Sequence, residues 1–231
     1  MQCNMNGTRL DLILLLCISY ISGSAQTGKV SVVRNGKVQV EAEAYLSQSE
    51  DHLRKWYTIR DNSAVGMQLD GDESHFSSAS NKAYIEVLPD TRRTDKDKLV
   101  SGENFSNTPG MAVLTYQIKF KKPGRYYVWV KAYSTGNEDN SIHVGINDHW
   151  PETGQRMQWC EGKNIWTWAS KQRTEKSHCG EPGKIFLDVM KKGNHTIHFS
   201  MREDGFEMDQ FILTNNAAFR PLGYSESLTS P

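Results

Sequence analysis

Trp150, Trp159, Trp166 and Trp168 are four of the six tryptophans in this 231-residue chain, and they fall between positions 150 and 168. The stretch that carries them, HWPETGQRMQWCEGKNIWTWASKQ, is rich in polar and turn-forming residues. Aromatic rings gathered in a polar loop offer a surface that stacks against something flat. In an exported β-rich chain the commonest such partner is a sugar ring, whose C–H face packs on an aromatic plane. The competing reading is burial, since tryptophan is largely buried on average. On that reading Trp150 and Trp159 pack the loop against the core, and Trp129 belongs to the core or to a sheet face.

A second group that could do chemistry is acidic. Glu41 and Glu43 stand two apart in Val38-Gln-Val-Glu-Ala-Glu-Ala44. On a strand such residues share a face, with Cα atoms about 6.5–7 Å apart. Two carboxylates so placed suit a hard cation such as calcium, which takes several carboxylate and carbonyl oxygens. Asp209, at the start of a final strand, supplies a third carboxylate. Solvated strand glutamates are the plain alternative.

Other chemistries find little support. His195-Thr-Ile-His198 lies across a turn and strand, no H-E-x-x-H helix occurs, and no serine sits in G-x-S-x-G. Lysine plus arginine equals aspartate plus glutamate, 27 of each. That balance argues against a nucleic-acid partner, which requires a basic face. Asn104-Phe-Ser106 and Asn194-His-Thr196 match the N-glycosylation sequon.

Residues 1–25 have the features of a secretory signal: Arg9, the apolar run Leu12 to Ile21, and small residues ending at Ala25. The run is shorter than the roughly 20 apolar residues of a membrane span. Cleavage there removes Cys3 and Cys17 and leaves Cys160 and Cys179. In an exported chain these two most simply form one disulfide that closes the tryptophan-rich loop.

The elements that must position these groups are strands. Period-two alternation recurs at Leu114, Tyr116, Ile118 and Phe120; then Pro123-Gly124 turns into a strand from Arg125 to Tyr133. Further strands carry Ile142, Val144 and Ile146; then Ile185, Leu187 and Val189; then Ile197, Phe199 and Met201; and last Phe211 to Thr214. Many short strands between turn signals predict an all-β protein, a β-sandwich of jelly-roll type. Asp61 to Phe76, Asp90 to Pro109 and Asp148 to Pro182 are expected as insertions. One domain over residues 26–216 and a C-terminal tail over 217–231 complete the layout.

VEAEAY, GRYYVWVKA, the tryptophan loop and KKGNHTIHFSMREDGFEMDQFIL stand in an order and spacing that resemble carbohydrate-binding modules. The similarity is to families 6 and 35 and to the C-terminal module of family 115 glycoside hydrolases, over roughly residues 37–216. It implies a galactose-binding-domain-like jelly roll with a structural calcium held by Glu41, Glu43 and Asp209. It also implies a ligand site in the loops at one end of the sandwich. Trp166 and Trp168 match its later aromatic position; they line one platform together, or Trp168 anchors the core. Trp56 or Tyr57 matches the early aromatic, Trp159 is a further candidate, and Glu207 stands where relatives often carry asparagine.

The reading that results is a secreted, monomeric, non-catalytic protein that binds a polysaccharide or oligosaccharide. Its rivals are a polysaccharide hydrolase or lyase on the same fold and an adhesion module with a protein partner. Glu161, Glu175 and Glu181 in the tryptophan-rich loop are the carboxylates such an enzyme would draw on. Arg156, Lys163, Lys171 and Arg173 near the tryptophans leave an acidic glycan open.

Overall fold

Alternation of apolar and polar residues becomes two facing sheets in the computed structural model, which describes residues 30–49, 52–61 and 69–224. The signal sequence therefore lies outside the described residues. In chain order the strands are β1 (Ser31–Val32), β2 (Lys37–Glu41), β3 (Ser47–Gln48), β4 (Lys55–Ile59), β5 (Tyr84–Leu88) and β6 (Val113–Phe120). β7 (Gly124–Tyr133), β8 (Ser141–Ile146), β9 (Met157–Gln158), β10 (Thr167–Ala169) and β11 (Lys171–Gln172) follow. β12 (Glu181–Pro182), β13 (Phe186–Val189), β14 (Gly193–Met201) and β15 (Glu207–Thr214) close the series.

One sheet runs β1-β6-β14-β8-β9-β11-β12, with β3 also on β6. The other runs β10-β7-β15-β5-β4, with β13 also on β7 and β2 also on β15. The fold is the jelly-roll β-sandwich expected from the patterning. Its core is what the alternation predicts: Leu114, Tyr116, Ile118, Phe120, Val144, Ile197 and Phe199 from one sheet meet Ile85, Val87, Val128, Val130, Phe211 and Leu213 from the other. Burying each large apolar side chain is worth about 1.5–3 kcal/mol. The buried Tyr116 hydroxyl is satisfied, its Oη donating to the Ala42 carbonyl at 2.6 Å.

Two features of the second sheet set up the functional face. The first concerns β15, whose one edge is shared by two strands. β2 pairs with Gln210 to Thr214, while β5 pairs with Glu207 and Met208. β2 therefore ends at Glu41 to make room for β5, and residues 42–44 turn into a 3₁₀ helix. The expectation that Glu41 and Glu43 sit two apart on one strand is corrected accordingly.

The second feature is a bulge. Across the β15–β7 ladder Met208 pairs with Ala132 and Gln210 with Lys131, so Asp209 is an extra residue with no partner of its own. An extra residue shifts the side-chain alternation by one. Phe211 and Leu213 thus point into the core while Glu207, on the far side of the bulge, points out.

The Cys160–Cys179 disulfide is present, with Cα atoms 5.3 Å apart. After β15 the chain folds back, and Phe219 and Tyr224 pack on Trp129, Trp168 and Ile212. That tail covers one end of the second sheet's outer face and leaves the other end to the segment Asp70–Lys82.

Candidate functional site

Four residues lie in register across the end of that outer face that the tail leaves free. Tyr57 pairs with Glu86, Glu86 with Glu207, and Glu207 with Tyr133. Partners directly opposite in a ladder share a face, so the row reads aromatic, acid, acid, aromatic. Trp166 immediately precedes β10, whose Thr167 pairs with Ala132, which brings the indole beside the end of the row. Tyr84, two residues before Glu86 on β5, adds a further ring on the same side.

These groups touch. The Trp166 ring meets the edges of Tyr84 and Tyr133, each at 5.4 Å between centroids. His75, from the overlying segment, stacks on Tyr133 at 3.6 Å. Its Nδ1 lies 2.8 Å from Glu207 Oε1, and Trp166 Nε1 donates to Ser78 Oγ at 3.2 Å. Trp166, Tyr133, Tyr57 and His75 are each half-buried, the state in which a ring is held yet keeps a face open.

The electrostatics are dominated by closely spaced acids. Glu86 and Glu207 are 1% and 3% exposed. Burial, and then the charges of Glu86, Asp72, Asp70 and Asp139, push the Glu207 carboxyl well above its ordinary value. Glu86 is raised in the same way by burial and by Asp70, Asp72 and Asp90. Burial and the charge of Asp204 raise Asp90 to about 7. Burial also holds His75 below the usual histidine value against the pull of Asp70, Asp139 and Glu73. The turn that delivers Glu207 is anchored by Asp204, whose Oδ2 accepts from Arg54 Nη2 at 2.8 Å and from the Thr91 amide at 2.8 Å.

The tryptophan-rich segment does not form one platform; its four rings go to four places. Trp159 is fully buried and donates to the Thr167 carbonyl at 3.1 Å, so it is core. Trp168 lies in the satellite cluster with Trp129 under the tail, away from Trp166. β10 begins only at Thr167, so the two-apart rule does not align Trp166 with Trp168. Trp150 packs over Gly145 beside His198 on the other sheet. Trp56 also belongs to the core, with Nε1 donating to the Ala112 carbonyl at 2.6 Å. Trp56, Trp159 and Trp168 therefore present no open ring, and of the sequence-derived candidates Trp166, Tyr57 and Glu207 remain on the face.

His75, Tyr84, Glu86 and Tyr133 were not singled out from sequence. Tyr84-Ile-Glu-Val-Leu88 carries a readable signal, since Ile85 and Val87 alternate with Tyr84 and Glu86. His75 lies in a polar stretch with no periodicity to place it.

Of the three carboxylates expected to hold calcium, Glu41 and Asp209 are bridged at one corner by Ser80. Gln210 Nε2 and Ser80 Oγ donate to Glu41 Oε1, and the Ser80 amide donates to Asp209 Oδ1. Glu41 Oε2 and Glu43 Oε2 are buried without a hydrogen-bond partner, as oxygens built for a cation would be. Burial, with the charges of Glu41 and Asp209 adding to it, raises the Glu43 carboxyl. Lys131 Nζ, 2.8 Å from Asp209 Oδ2, already supplies one positive charge there. The donor chemistry fits a hard cation, with Lys131 as its competitor.

Residues 30–225 match the family described as the glycosyl hydrolase family 115 C-terminal domain, and the chain belongs to that family. It is 55% identical over 197 residues to "Uncharacterized protein P23" of Formosa agariphila, a match that covers 85% of this chain and 48% of the relative. The chain thus spans about half the length of that curated relative. Among solved structures it is similar to the Podospora anserina GH26-CBM35 β-(1,4)-mannanase. The TM-score is 0.43 and the identity 17%, over 82% of this chain and 29% of that one. It is also similar to a family 35 carbohydrate-binding module of Clostridium thermocellum, with a TM-score of 0.38 and 11% identity over 77% and 96% of the two chains. The C-terminal CBM6 of LamC from Zobellia galactanivorans gives 0.38 and 13% over 78% and 99%.

Proposed function

We propose that this protein is a secreted, non-catalytic carbohydrate-binding module whose ligand lies on the Trp166–Tyr133 face. The observation that carries the reading is Trp166 itself. Its indole is half-buried, braced by Tyr84 and Tyr133, and tethered through Nε1 to Ser78, so one ring face is held ready for a sugar. Stacked aromatics contribute about 0.5–1.5 kcal/mol beyond area burial. Tyr133, Tyr57 and His75 widen the platform, and the rim of Asp72 and Ser78 supplies hydrogen-bonding groups.

Binding rather than cleavage suits the carboxylates. Glu86 and Glu207 oppose each other across a ladder, yet both are shut beneath Tyr84 and His75 and reach no glycosidic oxygen. Calcium at Glu41, Glu43 and Asp209 would fix the corner where β2 leaves β15 and have no part in ligand contact. Among the described residues no helix is long and apolar enough to cross a membrane.

A screen of neutral and acidic polysaccharides, with wild type beside Trp166→Ala, tests the reading. Selective retention by the wild type that the variant loses supports it. Equal binding by both, or release of reducing sugar from any polymer, would replace it.

A further inference from the structure

Of the groups in this molecule, Asp72, His75 and Glu207 make the combination that most resembles a ligand set. One ligand atom from each lies within 4.8 Å of those of the other two. His75 Nδ1 and Glu207 Oε1 are already 2.8 Å apart, a contact that requires a proton between them. The remaining oxygen, Glu207 Oε2, is buried and has no hydrogen-bond partner, on a residue only 3% exposed. An orphaned buried carboxylate oxygen is costly unless something positive meets it.

From this geometry we infer a second cation site, formed by Asp72, His75 and Glu207 and selective for a first-row transition dication such as Zn2+. The imidazole sets the selectivity. Calcium takes six to eight oxygens, whereas one nitrogen with two carboxylates is the mixed set that zinc accepts at about 2.0–2.2 Å. Tetrahedral ligands at that range stand about 3.3 Å apart, so the three groups close by small side-chain rotations. The proton now shared by His75 and Glu207 leaves as the ion enters. A fourth position faces outward past the exposed Asp72 and is left to water or to an oxygen of a bound ligand.

The site joins the overlying segment to β15, beside the hydrogen bonds that Ser78 and Ser80 already make. Asp72 and His75 belong to the segment lying over the sheet, while Glu207 belongs to β15. Metal there fixes the segment to the strand and clamps His75 on Tyr133. It is distinct from the Glu41–Glu43–Asp209 corner, which offers only oxygens. Sugar binding is not assumed, since the ion alone is the probe.

Calorimetric titration of the purified, EDTA-stripped chain with ZnCl2 tests the inference, with CaCl2 as competitor. One equivalent of zinc should bind and raise Tm. Affinity should fall at least tenfold in His75→Gln, and again in Asp72→Asn, whose exposed position spares the fold. Glu41→Gln should leave zinc binding unchanged, and equimolar calcium should not displace it. The inference is overturned if zinc fails to saturate at one equivalent. It is equally overturned if His75→Gln binds as wild type with an unchanged near-ultraviolet dichroism spectrum, or if calcium competes on equal terms.

Discussion

Glu207 and Glu86 face each other directly across the β15–β5 ladder, both buried and both carboxylic acids. Like charges placed opposite in a sheet are destabilising. The face accordingly stores a strain that protons or a cation relieve.

That pair sets an alkaline limit on the metal-free protein. Burial and the charges of Asp70, Asp72 and Asp90 raise Glu86 above 4.5, its ordinary value. A carboxyl raised on folding contributes stability that is complete below about 4.5 and is lost as pH rises through the folded value. In EDTA, Tm should therefore fall as pH rises well above 4.5, and Glu86→Gln should flatten the fall. An equally steep decline in the variant would mean that the acids of this face are already neutralised.

His143 sets the opposite limit. The ring is fully buried, its Nε2 donates to the Ser106 carbonyl, and its Nδ1 accepts from the Arg156 amide. Those partners require the neutral form, and burial first, with Arg202 and Arg156 adding to it, lowers the pKa from 6.5 to about 4. The folded value lies below the unfolded one, so this stabilisation is complete above about 6.5 and is lost as pH falls toward 4. From pH 7 to 5 the loss is about 2 kcal/mol. His143→Gln, which keeps one donor and one acceptor, should lose that part of the pH dependence in thermal melts.

Trp166 and Trp56 should separate binding from stability. Trp166→Ala should weaken glycan binding about tenfold, or about 1.4 kcal/mol, with little change in Tm. Trp56→Ala removes a core side chain and should cost about 3–5 kcal/mol of unfolding free energy. Isothermal titration beside denaturant melts reads both, and a large Tm loss in Trp166→Ala would make that ring structural.

Lys131 should act as a brake on calcium. Its ammonium neutralises Asp209 at 2.8 Å, so Lys131→Met should tighten calcium binding tenfold or more, while Glu43→Gln should weaken it. Calcium-dependent Tm shifts give the measurement. No shift in wild type or in Lys131→Met would remove calcium from the corner.

Much of the fold was legible because alternation is a local property. Leu114 to Phe120, Arg125 to Tyr133 and Ile197 to Met201 each show their buried face without help from the rest of the chain. The face was less legible because it is built by register. Tyr57, Glu86, Glu207 and Tyr133 are neighbours only through pairings across three ladders, which no local pattern encodes. The tryptophan cluster misled for the same reason: closeness along the chain does not bring Trp150, Trp159, Trp166 and Trp168 to one surface. His75 carried no signal, since a histidine in a polar stretch reads alike whether it stacks on tyrosine or meets water.

Asp209 has a consequence for how this surface tolerates change. By inserting one residue it sets the two halves of β15 out of phase, so Phe211 and Leu213 can obey the core while Glu207 answers only to whatever lies outside. Exchanging side chains at 207 leaves the packing beyond the bulge untouched. Deleting Asp209 would instead close the ladder, with Met208 still opposite Ala132 and Gln210 opposite Lys131, and would cost the contacts to Ser80 and Lys131. A substitution at 207 changes the row of acids; deletion of 209 strips the corner of its contacts and leaves that row facing out.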